Sequence, residues 1–398
     1  MRLRAGEKGT LFLSAQPITI GSIDQLMIPS PTVTSHRPQL DALRAIAVSA
    51  VLVHHFLPVG RFIPEDFLTL GLLAVRLFFV LSGYLITGIL LRSRRLGFRA
   101  ALKQFYLRRA LRIFPIYYLT LLAATLIGVS HVRQVIHWHL LYLTNVLVLI
   151  HPTLIGPTGH LWSLSVEEQF YFVWPFLILL TPYKYIFRLI LLAVVAGLCW
   201  KTFIAFTVGS NLAGAILTPA CLDSLGVGGL LAFIESDETL KIHRDRFLRF
   251  ALIAGWVIVS IQTAAYLTNH ALRYFWATSY LGVSLIFIWL VASAAQGFKG
   301  KLGDILEWRP ILFVGKISYG LYLYHSFMPG LVRYFADSLR LRQPGTLLMF
   351  VCASSLTFLI AVASWYLIEN PINRWKDKLR YGTEKRGMVA QTAEVPSS

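Results

Sequence analysis

The stretch "LDALRAIAVSAVLVHHF", residues 40–56, decides the fold, because it is an apolar helix of nearly membrane-spanning length with polar groups at both ends. Asp41 and Arg44 lie near its start, and His54 and His55 lie near its end. Arg44 and His55 are eleven positions apart. In an α-helix that spacing is three turns and about 20° of rotation, so the two share a face at an axial distance of about 16 Å. His54 is rotated by about 100° and faces elsewhere.

The shared face of Arg44 and His55 has two interpretations. In the functional one, His55 is a general base in a groove, and Arg44 lies on the same groove closer to the cytoplasm. In the other, both are polar residues whose hydrogen bonds are satisfied by neighbouring helices. The residues alone do not separate these interpretations.

The composition is that of a membrane protein with many helices. Of the 398 residues, 56% are hydrophobic and only 14% are charged, and the mean hydropathy is +0.63; a soluble domain carries about 25% charged residues. The net charge of +18 comes from Lys and Arg in short connectors, which is typical of cytoplasmic loops and does not indicate nucleic acid as a partner. The three cysteines lie inside apolar runs without a CxxC pair, so neither a disulfide framework nor a zinc site is indicated.

Ten segments are apolar enough to span a membrane, which takes about 20 residues each. They are residues 40–58, 70–91, 112–130, 161–181, 185–208, 212–233, 249–268, 273–294, 311–331 and 346–368. Residues 137–150 have too short an apolar core and are predicted to form an interfacial or re-entrant helix. The predicted fold class is therefore all-α: a polytopic membrane bundle of about ten transmembrane helices plus that one short helix.

The chain is predicted to hold one membrane domain. Its predicted parts are a poorly ordered cytoplasmic extension at 1–37, the membrane domain at 38–375 and a cytoplasmic tail at 376–398. The loop at 92–112 holds eight Lys and Arg residues, and residues 241–249 are also basic. Since cytoplasmic loops are enriched in these residues, both termini are predicted to be cytoplasmic.

Arginines and small residues around the second and third spans are candidates for ligand binding. Arg109 and Arg112 are three positions apart on one helix face, where the basic loop enters the third span. Arginine suits bidentate phosphate recognition, although membrane anchoring explains most of the cations in this loop. Ser82 and Gly83 permit close helix approach or a local kink, and Phe79 beside them favours packing over chemistry.

Two adjacent carboxylates, Glu167 and Glu168, lie about two turns into the fourth predicted span. Ionisable groups inside spans are functional candidates, and a pair of them indicates a buried network or a hydrophilic cavity. Their expected partners are Arg76, His160 or a histidine of the first span, while Arg76 itself needs an anionic partner or water. Further buried candidates with less sequence context are Lys201, Asp223 and His325.

Seven segments in order resemble the acyltransferase-3 family of bacterial membrane acyltransferases over about residues 38–375. They are "LDALRAIAVSAVLVHHF", "RLFFVLSGYLI", "YLRRALRIFPIYYL", "HLWSLSVEEQFYFVWP", "LDSLGVGGLLAF", "ISYGLYLYHS" and "IENPINRW". The resemblance implies transfer of an acyl group, commonly acetyl, from cytoplasmic acyl-CoA to a hydroxyl of an extracytoplasmic glycan such as lipopolysaccharide, or of a lipid-linked sugar. Some members acylate a macrolide or another secondary metabolite. The implied location is the bacterial inner membrane, with membrane lipid as a further partner.

The resemblance also assigns residues. The family's Arg-x10-His signature falls on Arg44 and His55, with His55 as general base or acyl carrier, and its RxxR element falls on Arg109 and Arg112. The expected catalytic residues are His55, Arg44, Glu167 and Glu168. The residues expected to bind acyl-CoA are Arg109, Arg112, Arg108, Phe79, Ser82 and Gly83. The residues expected to bind substrate are Trp162, Tyr171, His160 and His325, and no metal is expected.

The chain departs from the family pattern in its sixth span. Many relatives carry an arginine two residues before the aspartate of that span, where this chain has Cys221 before Asp223. This difference weakens any role for Asp223.

Transport is the rival function to acyl transfer. A transporter that exports or flips a lipid-linked sugar explains the spans and the buried charges equally well. It does not explain the pairing of Arg44 and His55 with a phosphate-binding cytoplasmic loop.

Overall fold

The computed structural model describes residues 37–57, 69–207, 211–268 and 276–375. Within these ranges the chain is helical for most of its length and has no β-strand. The predicted N-terminal extension up to residue 36 and the predicted tail at 376–398 lie outside the described residues.

The described residues form seventeen α-helices, numbered in chain order. They are α1 (Pro38–Phe56), α2 (Leu70–Ser93), α3 (Phe98–Ile127), α4 (Val132–Leu140), α5 (Thr144–Ile150), α6 (Trp162–Leu180), α7 (Tyr183–Thr207), α8 (Asn211–Ile216), α9 (Thr218–Ser236), α10 (Glu238–Lys241), α11 (Arg244–Leu267), α12 (Trp276–Gln296), α13 (Gly300–Leu306), α14 (Arg309–Lys316), α15 (Ser318–Tyr324), α16 (Met328–Ser338) and α17 (Thr346–Ser364). A π-helical turn, Trp365–Glu369, continues α17.

Seven helical segments of the described chain are long and apolar enough to cross a membrane. They are Leu70–Leu96, Phe98–Ile127, Tyr183–Thr207, Gly214–Ser236, Arg244–Ala265, Thr278–Gln296 and Thr346–Trp375. Helices α1 and α6 are each 19 residues long, about 28 Å, but they carry more polar side chains. The predicted all-helical membrane bundle is confirmed, whereas the predicted number of ten spans stays a prediction.

The predicted span at 311–331 is wrong as one continuous helix. The chain there passes through α14, α15, a 3-10 turn at His325–Phe327 and the start of α16. Pro329 explains the change at His325, because proline has no N–H to donate to the carbonyl four residues earlier. A hydropathy profile does not register this break, since the whole segment is apolar.

The predicted helix at 137–150 is two short helices, α4 and α5, separated by a turn. Tyr142 in this turn has a positive φ of 53°, which α-helical residues do not adopt. The nine residues of α4 extend only about 14 Å. The prediction that this run is too short to span therefore holds for the described structure, but the prediction of one helix is wrong.

Helices α2 and α9 form the centre of the bundle, and glycines bring their backbones into contact. A Cβ at Gly83 would lie 1.9 Å from the carbonyl oxygen of Leu225, and one at Gly228 would lie 2.1 Å from that of Val80. Only residues without a side chain allow this separation. The predicted close approach at Ser82 and Gly83 is confirmed, and it fixes the position of α2 against α9.

Replacing Gly83 with alanine is expected to destabilise the protein by about 1–3 kcal/mol, because the added methyl group must push α2 and α9 apart. The measurement is the thermal unfolding midpoint of the detergent-solubilised protein. Gly330→Ala is the matched control, since a Cβ at Gly330 meets no atom within 4 Å. Equal midpoints for the two variants would contradict the inferred contact.

Candidate active site

A polar cavity, here called the central cavity, lies between α1, α2, α3, α6 and α15. Its volume is about 840 Å³, part of which is open to solvent. The arginines and carboxylates on its wall are Arg44, Arg109, Arg112, Glu167 and Glu168. Five residues predicted from the sequence thus come together from three helices that are far apart along the chain.

The arginines of the central cavity differ in their partners. Arg44 forms an ion pair with Asp41, one turn earlier in α1. The guanidinium of Arg109 lies 4.7 Å from the centre of the Tyr171 ring, and Arg112 is exposed. Within the described part of the chain, neither Arg109 nor Arg112 forms an ion pair with a carboxylate. Two guanidinium groups on one cavity wall can therefore bind an anion such as a phosphate group.

The carboxylates of the central cavity are held differently from the sequence prediction. Ser82 donates its hydroxyl hydrogen to Glu167, and Tyr171 donates to the Ser82 hydroxyl at 3.0 Å. The Oε1 atom of Glu168 is buried without a hydrogen-bond partner in the described structure. Arg76, one of the partners expected for the two glutamates, instead pairs with Asp223.

A second group of polar residues, here called the histidine cluster, consists of His55, His160 and His325. The ring centre of His325 lies 4.9 Å from that of His55 and 4.7 Å from that of His160. His325 and His160 are buried, whereas His55 is exposed and is not among the residues that line the central cavity.

Tyr322 connects the histidine cluster to the central cavity. Its ring lines the cavity and lies 5.5 Å from that of His325. Its hydroxyl group is 2.5 Å from the Ser163 hydroxyl and donates to the His160 carbonyl at 3.0 Å. The central cavity and the histidine cluster are therefore neighbours, with Tyr322 between them.

His54 faces another direction from His55, as the helical phase predicts. A Cβ placed on Gly71 of α2 would lie 2.4 Å from the Cδ2 atom of His54. The His54 imidazole therefore packs directly against the backbone of α2, whereas that of His55 lies beside His325. The ring centres of the two adjacent histidines are 5.1 Å apart.

The remaining predicted residues divide between the cavity wall and its surroundings. Phe79, Ser82 and Tyr171 line the central cavity, whereas Arg108, Gly83 and Trp162 are not among its lining residues. Gly83 faces α9, and the Trp162 ring packs on that of Phe79 with ring centres 6.1 Å apart. The predicted parts of Gly83, Arg108 and Trp162 in ligand binding stay predictions.

Three hydroxyl-bearing residues of α15 were not predicted from the sequence. Ser318, Tyr319 and Tyr322 all line the central cavity. The segment "ISYGLYLYHS" did contain a signal, because Ser318 and Tyr322 are four positions apart and lie on one helix face. The face could not be assigned to a cavity without knowing which helices surround it.

A third polar group, here called the buried ionic cluster, consists of Arg76, Lys201 and Asp223. All three side chains are fully buried. Lys201 is paired with Asp223. The Nη1 atom of Arg76 lies 3.7 Å from the other carboxylate oxygen, and its Nη2 atom donates to the Ala215 carbonyl at 2.8 Å. The prediction that Arg76 needs an anionic partner is confirmed, and the cluster ties α2, α7 and α9 together.

Asp223→Asn is expected to lower the free energy of unfolding by about 3–5 kcal/mol, because it leaves two buried cations without a counter-charge. Thermal unfolding of the solubilised protein measures this loss. The control is Asp245→Asn, whose carboxylate is 83% exposed in its ion pair with Arg244 and contributes about 0–1 kcal/mol. An Asp223→Asn protein as stable as this control would contradict the role of the cluster.

Comparisons with known proteins match this chain to acyltransferases. The acyltransferase-3 family model, described as an acyltransferase domain, matches residues 37–366. The chain is 27% identical over 382 residues to the O-acetyltransferase OatA of Staphylococcus aureus, covering 90% of this chain and 61% of that protein. It is 28% identical over 361 residues to the peptidoglycan O-acetyltransferase OatA of Listeria monocytogenes, covering 85% and 56%.

A third relative is the putative peptidoglycan O-acetyltransferase YrhL of Bacillus subtilis, 28% identical over 367 residues, with 84% of this chain and 54% of that protein covered. The chain thus spans little more than half the length of these curated relatives. No solved structure matches the chain.

Proposed function

The chain belongs to the acyltransferase-3 family, and from this premise we propose that it is a membrane O-acetyltransferase. The donor is cytoplasmic acetyl-CoA, and the acceptor is a hydroxyl group of an extracytoplasmic or lipid-linked glycan. Peptidoglycan or its precursor is the favoured acceptor, because two of the relatives are named for it. The single observation that carries the proposal is the presence of Arg109 and Arg112, without carboxylate partners in the described structure, on the cavity wall that Arg44, Glu167 and Glu168 share.

The donor binds through its phosphate groups in this proposal. The guanidinium groups of Arg109 and Arg112 form bidentate hydrogen bonds with phosphate oxygens. Tyr171 packs under Arg109 and is hydrogen-bonded through Ser82 to Glu167, so a chain of side chains holds the Arg109 guanidinium in place. The pantetheine arm then extends along α1 from Arg44 towards His55.

The transfer step uses His55 as a general base. His55 accepts the proton of the acceptor hydroxyl while the hydroxyl oxygen attacks the thioester carbonyl carbon. A carbon–oxygen bond forms, the carbon–sulfur bond breaks, and the CoA thiolate takes up the proton to leave as the thiol. In the covalent variant, the imidazole nitrogen attacks first and carries the acyl group before the hydroxyl displaces it.

A transporter of a lipid-linked sugar is the second candidate, supported by the buried charges alone. Membranes that contain the protein are incubated with radiolabelled acetyl-CoA and peptidoglycan fragments. Label in the glycan and release of free CoA support acetyl transfer. If the same membranes form neither labelled glycan nor free CoA but move the lipid-linked sugar across the bilayer, the result supports transport instead.

Arg109→Ala and Arg112→Ala are each expected to raise the KM for acetyl-CoA by about tenfold or more, since each removes charged hydrogen bonds to phosphate. Initial rates at varied acetyl-CoA concentrations give this KM. Arg188→Ala is the control, because Arg188 is an exposed cation on α7. Unchanged KM values for both cavity variants would exclude this donor site.

His55→Ala is expected to lower kcat by about 100-fold or more, the usual contribution of a general base. His54→Ala, the adjacent control on the same helix, is expected to retain most of the activity. Rates are normalised to the amount of protein inserted in the membrane, because removal of His54 also removes its packing on Gly71. Full activity of the inserted His55→Ala protein would overturn the assignment of His55.

A further inference from the structure

The buried ring of His325 has one nitrogen engaged and one without a partner. Nδ1 lies 2.6 Å from the carbonyl oxygen of Tyr322. A carbonyl oxygen only accepts, so Nδ1 carries the hydrogen. Nε2 therefore holds a lone pair in the neutral ring, and within the described structure it is buried without a hydrogen-bond partner. A buried acceptor without a donor is unfavourable, so a neighbouring group with an N–H or O–H is expected to supply one.

His160 and Tyr322 do not have a hydrogen available for this acceptor. The two ring nitrogens of His160 face carbonyl oxygens, Nδ1 that of Pro157 at 2.9 Å and Nε2 that of Leu323 at 3.1 Å. The hydroxyl hydrogen of Tyr322 is donated to the carbonyl of His160 at 3.0 Å.

His55 is the remaining polar ring beside His325, with ring centres 4.9 Å apart. In the described structure neither of its ring nitrogens forms a hydrogen bond with another described residue. Because the exposed imidazole of His55 is the neighbouring ring with no other hydrogen bond to a described residue, its N–H is the remaining candidate donor to Nε2 of His325. Phe56 contacts the ring of His325 and Phe327 contacts that of His160, and both histidines are buried, so little water competes for Nε2 of His325.

We propose that His325 is a positioning residue for His55: its Nε2 accepts an N–H of His55 and so directs the second nitrogen of His55, with its lone pair, towards the reacting groups. This inference rests on the proposed function of His55 as base or acyl carrier. Many enzymes share this arrangement, in which a further side chain orients the catalytic histidine that acts as base or nucleophile. The same hydrogen bond stabilises the positive charge on His55 after it has accepted the hydroxyl proton.

The test compares three substitutions of His325 in the full-length protein in membranes. His325→Ala is expected to lower kcat by about 10–100-fold, with the KM for acetyl-CoA changed less than about twofold, because a misdirected general base loses part of its contribution. His325→Gln places an amide oxygen near the position of Nε2 and is expected to restore most of the rate. His325→Asn keeps a donor for the Tyr322 carbonyl but has no acceptor at Nε2, and is expected to be as slow as His325→Ala.

A purely structural role of His325 predicts the opposite order of activity for His325→Gln and His325→Asn. If His325 only supports the turn through its bond to the Tyr322 carbonyl, then His325→Asn is more active than His325→Gln. That order, or full activity of His325→Ala, would overturn the inference.

A double variant separates this inference from the proposed function. If His325 acts only through His55, then the protein with both residues replaced by alanine has the same rate as His55→Ala. If the rate loss of the double variant is instead the product of the two single-variant losses, the positioning role is overturned while His55 stays the base. Full activity of His55→Ala alone would overturn both assignments.

Discussion

Charged side chains among apolar helices need partners within the protein, and this requirement organises the bundle. In the buried ionic cluster, the carboxylate of Asp223 meets both Arg76 and Lys201, and all three side chains are sealed from solvent. In the central cavity, Arg109 and Arg112 have no carboxylate at ion-pairing distance among the described residues, and the space is partly open. The first arrangement is complete without a ligand and is structural. The second offers cationic groups to an anion and is the one suited to binding.

Helix α2 connects the two arrangements through its helical phase. Arg76 and Gly83 are seven positions apart and so lie on one face, which meets Asp223 and Leu225 of α9. Val75 and Ser82 have the same spacing on a neighbouring face, which lines the central cavity. The glycine contact with α9 thus sets the position from which Ser82 reaches Glu167. A displacement of α2 would disturb the packing and the site together.

The parts of this structure that were predictable from the sequence depend on local periodicity or on motifs. Helical phase correctly predicted that His54 and His55 face different neighbours, Gly71 and His325, and the motifs named Arg44, Arg109, Arg112 and the two glutamates that share the cavity. The partner of Arg76 was not predictable, because Asp223 is almost 150 residues away along the chain and several carboxylates were available. The interruption at His325 was also missed, because an apolar run with a proline near its end has the same hydropathy as a continuous span.

The separation between the central cavity and the histidine cluster fits an acceptor much larger than the donor's acyl group. Only about 100 Å³ of the central cavity can hold water-sized groups, which is below the range of small-molecule sites, roughly 300–1,000 Å³, so a glycan chain does not fit inside it. His55, in contrast, is exposed, while Tyr322 joins its neighbour His325 to the cavity wall. In the proposed mechanism the pantetheine arm brings the small acyl group along α1 to His55, and the large acceptor needs to present only one hydroxyl group there.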